Sequence, residues 1–254
     1  SCFAHSFPNY PPEGIKTFLP FVDEAAKSCG SNLDNFGPFL FGHPYKIRDC
    51  MMEAHRKAFP VIKENLNNNQ PVGITLSIMD YQCIEGGEEE RDKAHAESVD
   101  ICLDQVKDDD FLGVQMYTRH TFGPDGIIMP DINTADMLVM GYEYYPESVE
   151  NVLRYVGPKI NCPMIVTENG IGTDDDQQRI NYITTALEGL QRCLDDGLDI
   201  RGYYYWSFLD NFEWLFGYKP RFGLVDVDRN TLERKGKESL KFYKSIIENS
   251  QINP

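Results

Sequence analysis

From Val72 onward the chain repeats one pattern: a short run of apolar, β-branched and aromatic residues, then a stretch whose apolar positions recur every three or four residues. The first run is Val72–Met79 (VGITLSIM), and the spacing of Ala96, Val99, Leu103 and Val106 then predicts a helix over Asp92–Val106. The second is Phe111–Thr118 (FLGVQMYT), from which a long loop leads to Pro146, suited to a first helical turn, and to a helix over Glu147–Val156. The third, Met164–Val166, runs into Thr167-Glu168-Asn169-Gly170, after which Ile180, Ile183, Leu187, Leu190 and Leu194 predict a helix stopped at Gly197. The fourth, Ile200–Phe208 (IRGYYYWSF), leads through an aromatic loop to a final helix near Lys237–Glu248. Strand alternating with helix predicts an α/β fold with a parallel sheet and crossover helices.

Upstream, Asp49–Ile62 places Met51, Ala54, Ala58, Val61 and Ile62 on one helical face, whereas Ser1–Pro44 is rich in Pro, Gly and Asn without a clear period. The expected organisation is a single domain over residues 1–254, with 1–48 irregular and 49–254 carrying the βα units. The acidic runs Asp108–Asp110 and Asp174–Asp176 read as solvated turns.

Composition narrows the function. At 254 residues and 41% hydrophobic the chain can bury a sizeable core. A formal net charge of -16 argues against nucleic acid or an anionic membrane as partner, because both require a basic face, and favours a neutral ligand. No apolar run has the length that spans a bilayer, and Ser1–Tyr10 lacks the charged start and apolar core of a signal peptide, so the expected location is cytoplasmic. The seven cysteines (Cys2, Cys29, Cys50, Cys83, Cys102, Cys162, Cys193) include no CxxC pair and are odd in number, which reads as buried thiols rather than a disulfide framework or zinc site. The five histidines form no HExxH-like cluster, and neither metal nor cofactor is expected.

The candidate chemistry lies in two segments. Val166-Thr167-Glu168-Asn169-Gly170 puts a carboxylate where an apolar strand ends and a glycine-containing loop begins, the end at which parallel α/β architectures bind ligands. After the next strand, Trp206-Ser207-Phe208-Leu209-Asp210-Asn211-Phe212-Glu213-Trp214 brackets carboxylates with the only two tryptophans. A sugar offers an apolar C–H face and a rim of hydroxyls, and indole planes beside acceptor carboxylates suit both. An aromatic core cluster accounts for Phe208 and Phe212 but poorly for Asp210 and Glu213, since charged groups are seldom buried unpaired.

These segments, with the tail Gly223–Asp228 (GLVDVD), resemble the C-terminal signatures of glycoside hydrolase family 1, the β-glucosidase and β-galactosidase family. The resemblance extends upstream through Met140–Pro146 (MGYEYYP), Asp110–Thr118 (DFLGVQMYT) and Ala54–Ala58 (AHRKA). It implies a retaining β-glycosidase built on a TIM-type (β/α)8 barrel, of which about four parallel βα units, half a barrel, are expected here. By the same resemblance Glu168 is the nucleophile and Tyr117 its hydrogen-bonding neighbour, while Trp206 is the platform under the sugar. Glu213 would accept bonds from the sugar's outer hydroxyls, Trp214 would donate its indole N–H, and Gln115 stands where the family usually has Asn in its NYY triplet.

The family's NEP acid/base motif is absent, and Tyr10-Pro11-Pro12-Glu13-Gly14 resembles the stretch just downstream of that motif, so the acid/base is unassigned. Glu85, Glu88, Glu89 and Glu90 are candidate substitutes, with a solvated loop as their simpler role. The implied substrate is a β-linked glycoside or oligosaccharide. Edges left open at Val72–Met79 and Ile200–Phe208 imply a homo-oligomer. An inactive sugar-binding remnant and a fragment requiring an N-terminal partner are the alternatives.

Overall fold

The computed structural model describes residues 12–33, 35–36, 44–66, 70–131, 133 and 136–249. In chain order the helices α1 (Pro12–Ser28) and α2 (Pro44–Asn65) are followed by β1 (Gly73–Ser77) and β2 (Asp80–Cys83). Next comes α3 (Glu88–His95), passing through a π-helical turn at Ala96–Asp100 into α4 (Ile101–Val106). Then follow β3 (Phe111–Gln115), β4 (Arg119–Gly123), β5 (Gly126–Ile128), α5 (Ser148–Val156), β6 (Met164–Asn169), α6 (Asp176–Asp195) and β7 (Ile200–Tyr205). The hairpin β8 (Val225–Val227) and β9 (Arg234–Gly236) and the helix α7 (Glu238–Asn249) are the last elements among the described residues.

The four apolar runs form one parallel sheet in the order β1-β3-β6-β7, a partial (β/α) barrel with β1 and β7 at its edges. Because side chains alternate along a strand, Leu76, Leu112, Val114, Met164 and Val166 turn together onto the helices. There they meet Leu103 and Val106 of α4, Val149, Val152, Leu153 and Val156 of α5, and Ala186 and Leu190 of α6. The other face is open at Tyr204, which is 63% exposed.

Several expectations change. Residues 1–48 are not irregular throughout: α1 occupies Pro12–Ser28 and α2 begins at Pro44. Each helix has proline at its first position, where the missing N–H is not needed, and a second proline inside (Pro20, Pro60), which makes the segment read as broken. Tyr10 and Pro11 of the segment resembling the post-NEP stretch lie outside the described residues.

The buried side of α2 is also different. Arg48 and Met52 are buried, while Ala54, Ala58, Val61 and Ile62 are exposed. Polar ties select that side: His55 Nε2 stands 2.7 Å from Asp109 Oδ2, Arg48 donates to the Glu97 carbonyl at 2.6 Å, and Lys63 reaches Asp110 at 2.7 Å. In the helix after β2, Ala96 is exposed, because the π-helical turn rotates the phase so that His95 and Val99 face inward.

The long loop after β3 holds a β-hairpin. Strands β4 and β5 turn at Pro124-Asp125-Gly126, with Gly126 at a φ of 107°, and β4 pairs in parallel with β2 to make a three-stranded sheet. The acidic runs are solvated only in part: Asp108, Asp174 and Asp175 are exposed as expected, whereas Asp109, Asp110 and Asp176 are half-buried. Asp110 accepts the Val72 N–H at 2.7 Å, Asp175 caps α6 by accepting from Gln177 and Gln178, and Asp176 accepts from the hydroxyl and N–H of Ser239. The six described cysteines are free, and only Cys102 and Cys193 are buried, since Cys29 and Cys50 lie exposed on or beside helices and Cys83 and Cys162 are half-buried. Among the described residues no helix is long and apolar enough to cross a membrane.

Candidate active site

Glu168 is the penultimate residue of β6, at the C-terminal end of the parallel sheet. An irregularity in the β3–β6 ladder between Val114 and Gln115 pairs Gln115 with Glu168. Gln115 and Tyr117 are two apart in extended chain and project to the same side. Gln115 Nε2 donates to Glu168 Oε1 at 2.8 Å, and the Tyr117 hydroxyl donates to Oε2 at 2.7 Å. Each carboxylate oxygen therefore has one neutral donor and keeps lone-pair capacity for a reacting atom. Burial raises the Glu168 carboxyl above the usual range, the Tyr117 hydrogen bond opposes this, and the charge of Glu213 adds to the rise.

The second half of the site follows β7. The Trp206 N–H donates to the Asn169 carbonyl at 2.8 Å, tying the start of the aromatic loop to the residue after Glu168. Glycine at 170 is required here, because a Cβ on it would stand 1.9 Å from the Trp206 carbonyl oxygen. Trp206 Nε1 donates to Glu213 Oε1 at 3.1 Å, and Asn211 Nδ2 donates to the same oxygen at 2.5 Å. Glu213 is thereby held although only 8% exposed. Asp210 serves the scaffold instead. It is buried against Lys237 Nζ at 2.9 Å and the Gly223 N–H at 2.7 Å, anchoring the loop to the β9–α7 junction. Trp214 is 61% exposed and adopts a φ of 46°, a left-handed conformation that non-glycine residues seldom occupy.

The structure thus joins Glu168, Gln115 and Tyr117 directly and Trp206 to Glu213, while Trp214 projects outward. Glu85, Glu88 and Glu89 are exposed on the turn that opens α3, and Glu90 is half-buried there. Sequence reasoning assigned no role to Asn169, Tyr182, Tyr142 or Asn211. Three of them stood inside quoted motifs, Asn169 in the TENG segment, Tyr142 in MGYEYYP and Asn211 in WSFLDNFEW, whereas Tyr182 carried no signal. Tyr142 is half-buried, and its hydroxyl is pushed well up by its enclosure first and by Tyr182 and Glu213 next. Among the described residues no group of three or more His, Cys, Asp or Glu could hold a metal ion.

The family description "Glycosyl hydrolase family 1" matches residues 109–252. The 1,4-beta-D-glucan glucohydrolase of Thermotoga neapolitana is 34% identical over 165 residues, covering 59% of this chain and 37% of that protein. The beta-galactosidase of Saccharolobus solfataricus is 29% identical over 238 residues, covering 80% of this chain and 48% of that protein. The crystal structure of beta-glycosidase BGL167 superposes with a TM-score of 0.81 at 37% identity, over 91% of this chain and 55% of that one. The apo structure of a beta-glucosidase 1317 superposes with a TM-score of 0.83 at 31% identity, over 98% and 61%. The chain spans less than half the length of these two curated relatives.

Proposed function

The chain belongs to glycosyl hydrolase family 1, and from that premise we propose that it acts on β-linked glycosides by the retaining route with Glu168 as nucleophile. The observation that carries the reading is the placement of Glu168 at a strand end with Gln115 on one oxygen and Tyr117 on the other. A Glu168 oxygen forms the bond to the anomeric carbon while the bond from that carbon to the aglycone oxygen breaks, and the leaving group departs with the electron pair. Water then cleaves the glycosyl ester and regenerates the carboxylate. Trp206 underlies the sugar, Glu213 and Trp214 address its outer hydroxyls, and Gln115 orients the nucleophile.

No acid/base is assigned within these residues. General acid assistance is worth about 10²–10⁴-fold, so its absence weighs most on leaving groups that must be protonated. Nitrophenyl β-glycosides are the substrates of choice, with cellobiose far slower, and azide is expected to accelerate breakdown of an accumulating glycosyl-enzyme. The sheet edges at β1 and β7 support a second copy completing the barrel rim, in which case activity per chain falls on dilution.

The deciding experiment is hydrolysis of nitrophenyl β-glycosides by the purified chain, with Glu168→Gln as control. Turnover that survives Glu168→Gln overturns the assignment. Sugar affinity without turnover in either protein supports the alternative of a binding remnant.

A further inference from the structure

Asn169, the neighbour of Glu168, is fully enclosed and uses every polar atom of its side chain: Nδ2 donates to the Met116 carbonyl at 2.8 Å and to the Tyr182 hydroxyl at 3.0 Å, and Oδ1 accepts from the Tyr203 hydroxyl at 2.8 Å. The Tyr182 hydroxyl has one proton, and it goes to the Tyr117 carbonyl at 2.9 Å. Tyr182 is itself fully buried, packed with Leu138 and Ile171 and edge-on to Tyr144, with ring centroids 5.6 Å apart. Burial holds its phenol far above the usual range, so the hydroxyl stays protonated at every working pH.

These bonds add to a segment that the regular ladder holds only sparsely. Strand β3 ends at Gln115; beyond it the Met116 N–H donates to the Glu168 carbonyl at 3.2 Å, and the next backbone tie is the Asp80 N–H to the Thr118 carbonyl at 3.4 Å. Tyr117 lies between these ties, yet its phenol must meet Glu168 Oε2 at 2.7 Å. Both carbonyls in that gap are held, Met116 by Asn169 and Tyr117 by Tyr182.

We infer that Tyr182 is a positioning residue for Glu168, acting through Tyr117: its hydroxyl locks the Tyr117 backbone to α6 and to Asn169, and so aims the Tyr117 phenol at the carboxylate. The inference takes its functional meaning from the reading of Glu168 as nucleophile, but the geometry it asserts is measurable without turnover.

Tyr182→Phe keeps the ring and its packing and removes only the relay. In protein labelled with 13C at the glutamate carboxyls, the Glu168 titration is followed in wild type, Tyr117→Phe, Tyr182→Phe and Leu187→Val. Leu187 lies on the same helix but packs against Ile183 and Leu224 instead. In parallel, the rate of covalent labelling by a dinitrophenyl 2-deoxy-2-fluoro-β-glucoside is read by intact mass, a reaction whose leaving group needs no proton. Losing a donor to the carboxylate raises the Glu168 titration in Tyr117→Phe, and the same upward direction is expected in Tyr182→Phe. Labelling in Tyr182→Phe is expected to slow about 10-fold, the scale of a misaligned positioning group. Leu187→Val, which only loosens packing, is expected to leave both readouts unchanged. A Tyr182→Phe variant that titrates and labels as wild type overturns the inference, as does an equal shift in Leu187→Val. If wild type takes no label while the order of titrations holds, the nucleophile reading falls and the positioning stands.

Discussion

Gly170→Ala joins the packing of the half-barrel to its chemistry. The added methyl would sit 1.9 Å from the Trp206 carbonyl oxygen, where ordinary contact begins near 3.4 Å, so roughly 1.5 Å of separation has to open. Neither side yields easily: the obstructing atom is backbone, and the Trp206 N–H is bonded to the Asn169 carbonyl at 2.8 Å. Overpacking of this kind costs about 1–3 kcal/mol. Loss of that backbone bond adds about 0.5–1.5 kcal/mol, for a destabilisation of about 1.5–4.5 kcal/mol in urea unfolding. The chemical effect should be larger than a stability change implies, because Glu168 and Trp206 lie on the two sides of the collision. A displacement near 1 Å costs about 10²-fold in rate, readable as covalent labelling of Glu168 measured well below the unfolding midpoint. Gly197→Ala is the control. Gly197 has a φ of +86° with nothing within 4 Å of the added carbon, so alanine there brings only backbone strain of about 1–2 kcal/mol and unchanged labelling. Gly170→Ala within about 0.5 kcal/mol of wild type, or labelling at the wild-type rate, would refute the close-approach argument.

Lys237→Met leaves Asp210 buried without its lysine, a truncation costing about 3–5 kcal/mol, at the lower end because Arg221 Nε remains at 3.3 Å; an unfolding midpoint equal to wild type would show the pair to be dispensable. Trp206→Ala removes a stacking face and one donor to Glu213, so glucose affinity measured calorimetrically should weaken by about 1–3 kcal/mol, and unchanged affinity would remove the platform role. Labelling of Glu168 needs its ionised form, and burial raises its carboxyl, so the rate should fall as pH drops through a midpoint above the ordinary glutamate value of about 4.3. A rate still on its plateau at pH 4 would contradict that shift.

Much of the frame was legible from residue order because it rests on local periodicity. The four apolar runs become the four parallel strands, and Ile183, Leu187 and Leu190 face inward on α6 as their spacing requires. Glu168 at the end of its strand follows from the apolar run that precedes it, and its link to Tyr117 came from a resemblance of motifs rather than from any pattern in the chain. What periodicity cannot carry is the choice among apolar faces and the partner of a polar group. The side of α2 that docks was decided by His55, Arg48 and Lys63 finding Asp109, the Glu97 carbonyl and Asp110, contacts some 47 to 54 residues apart in the chain. Asp110 and Asp176, read with their neighbours as solvated, became connectors for the same reason, since whether a carboxylate is solvated depends on what the fold brings to it. Asn169 and Tyr182 are 13 residues apart, and Tyr182 and Tyr117 are 65 apart. Asn169 and Tyr117 stand in recognisable motifs, but nothing in the local sequence marks Tyr182 or joins the three, because a buried relay is a property of three strands and a helix converging. Composition and order therefore determined the elements and the family's motifs, and only the tertiary structure decided which donors hold the nucleophile, since hydrogen bonds are set by distances that exist once the chain has packed.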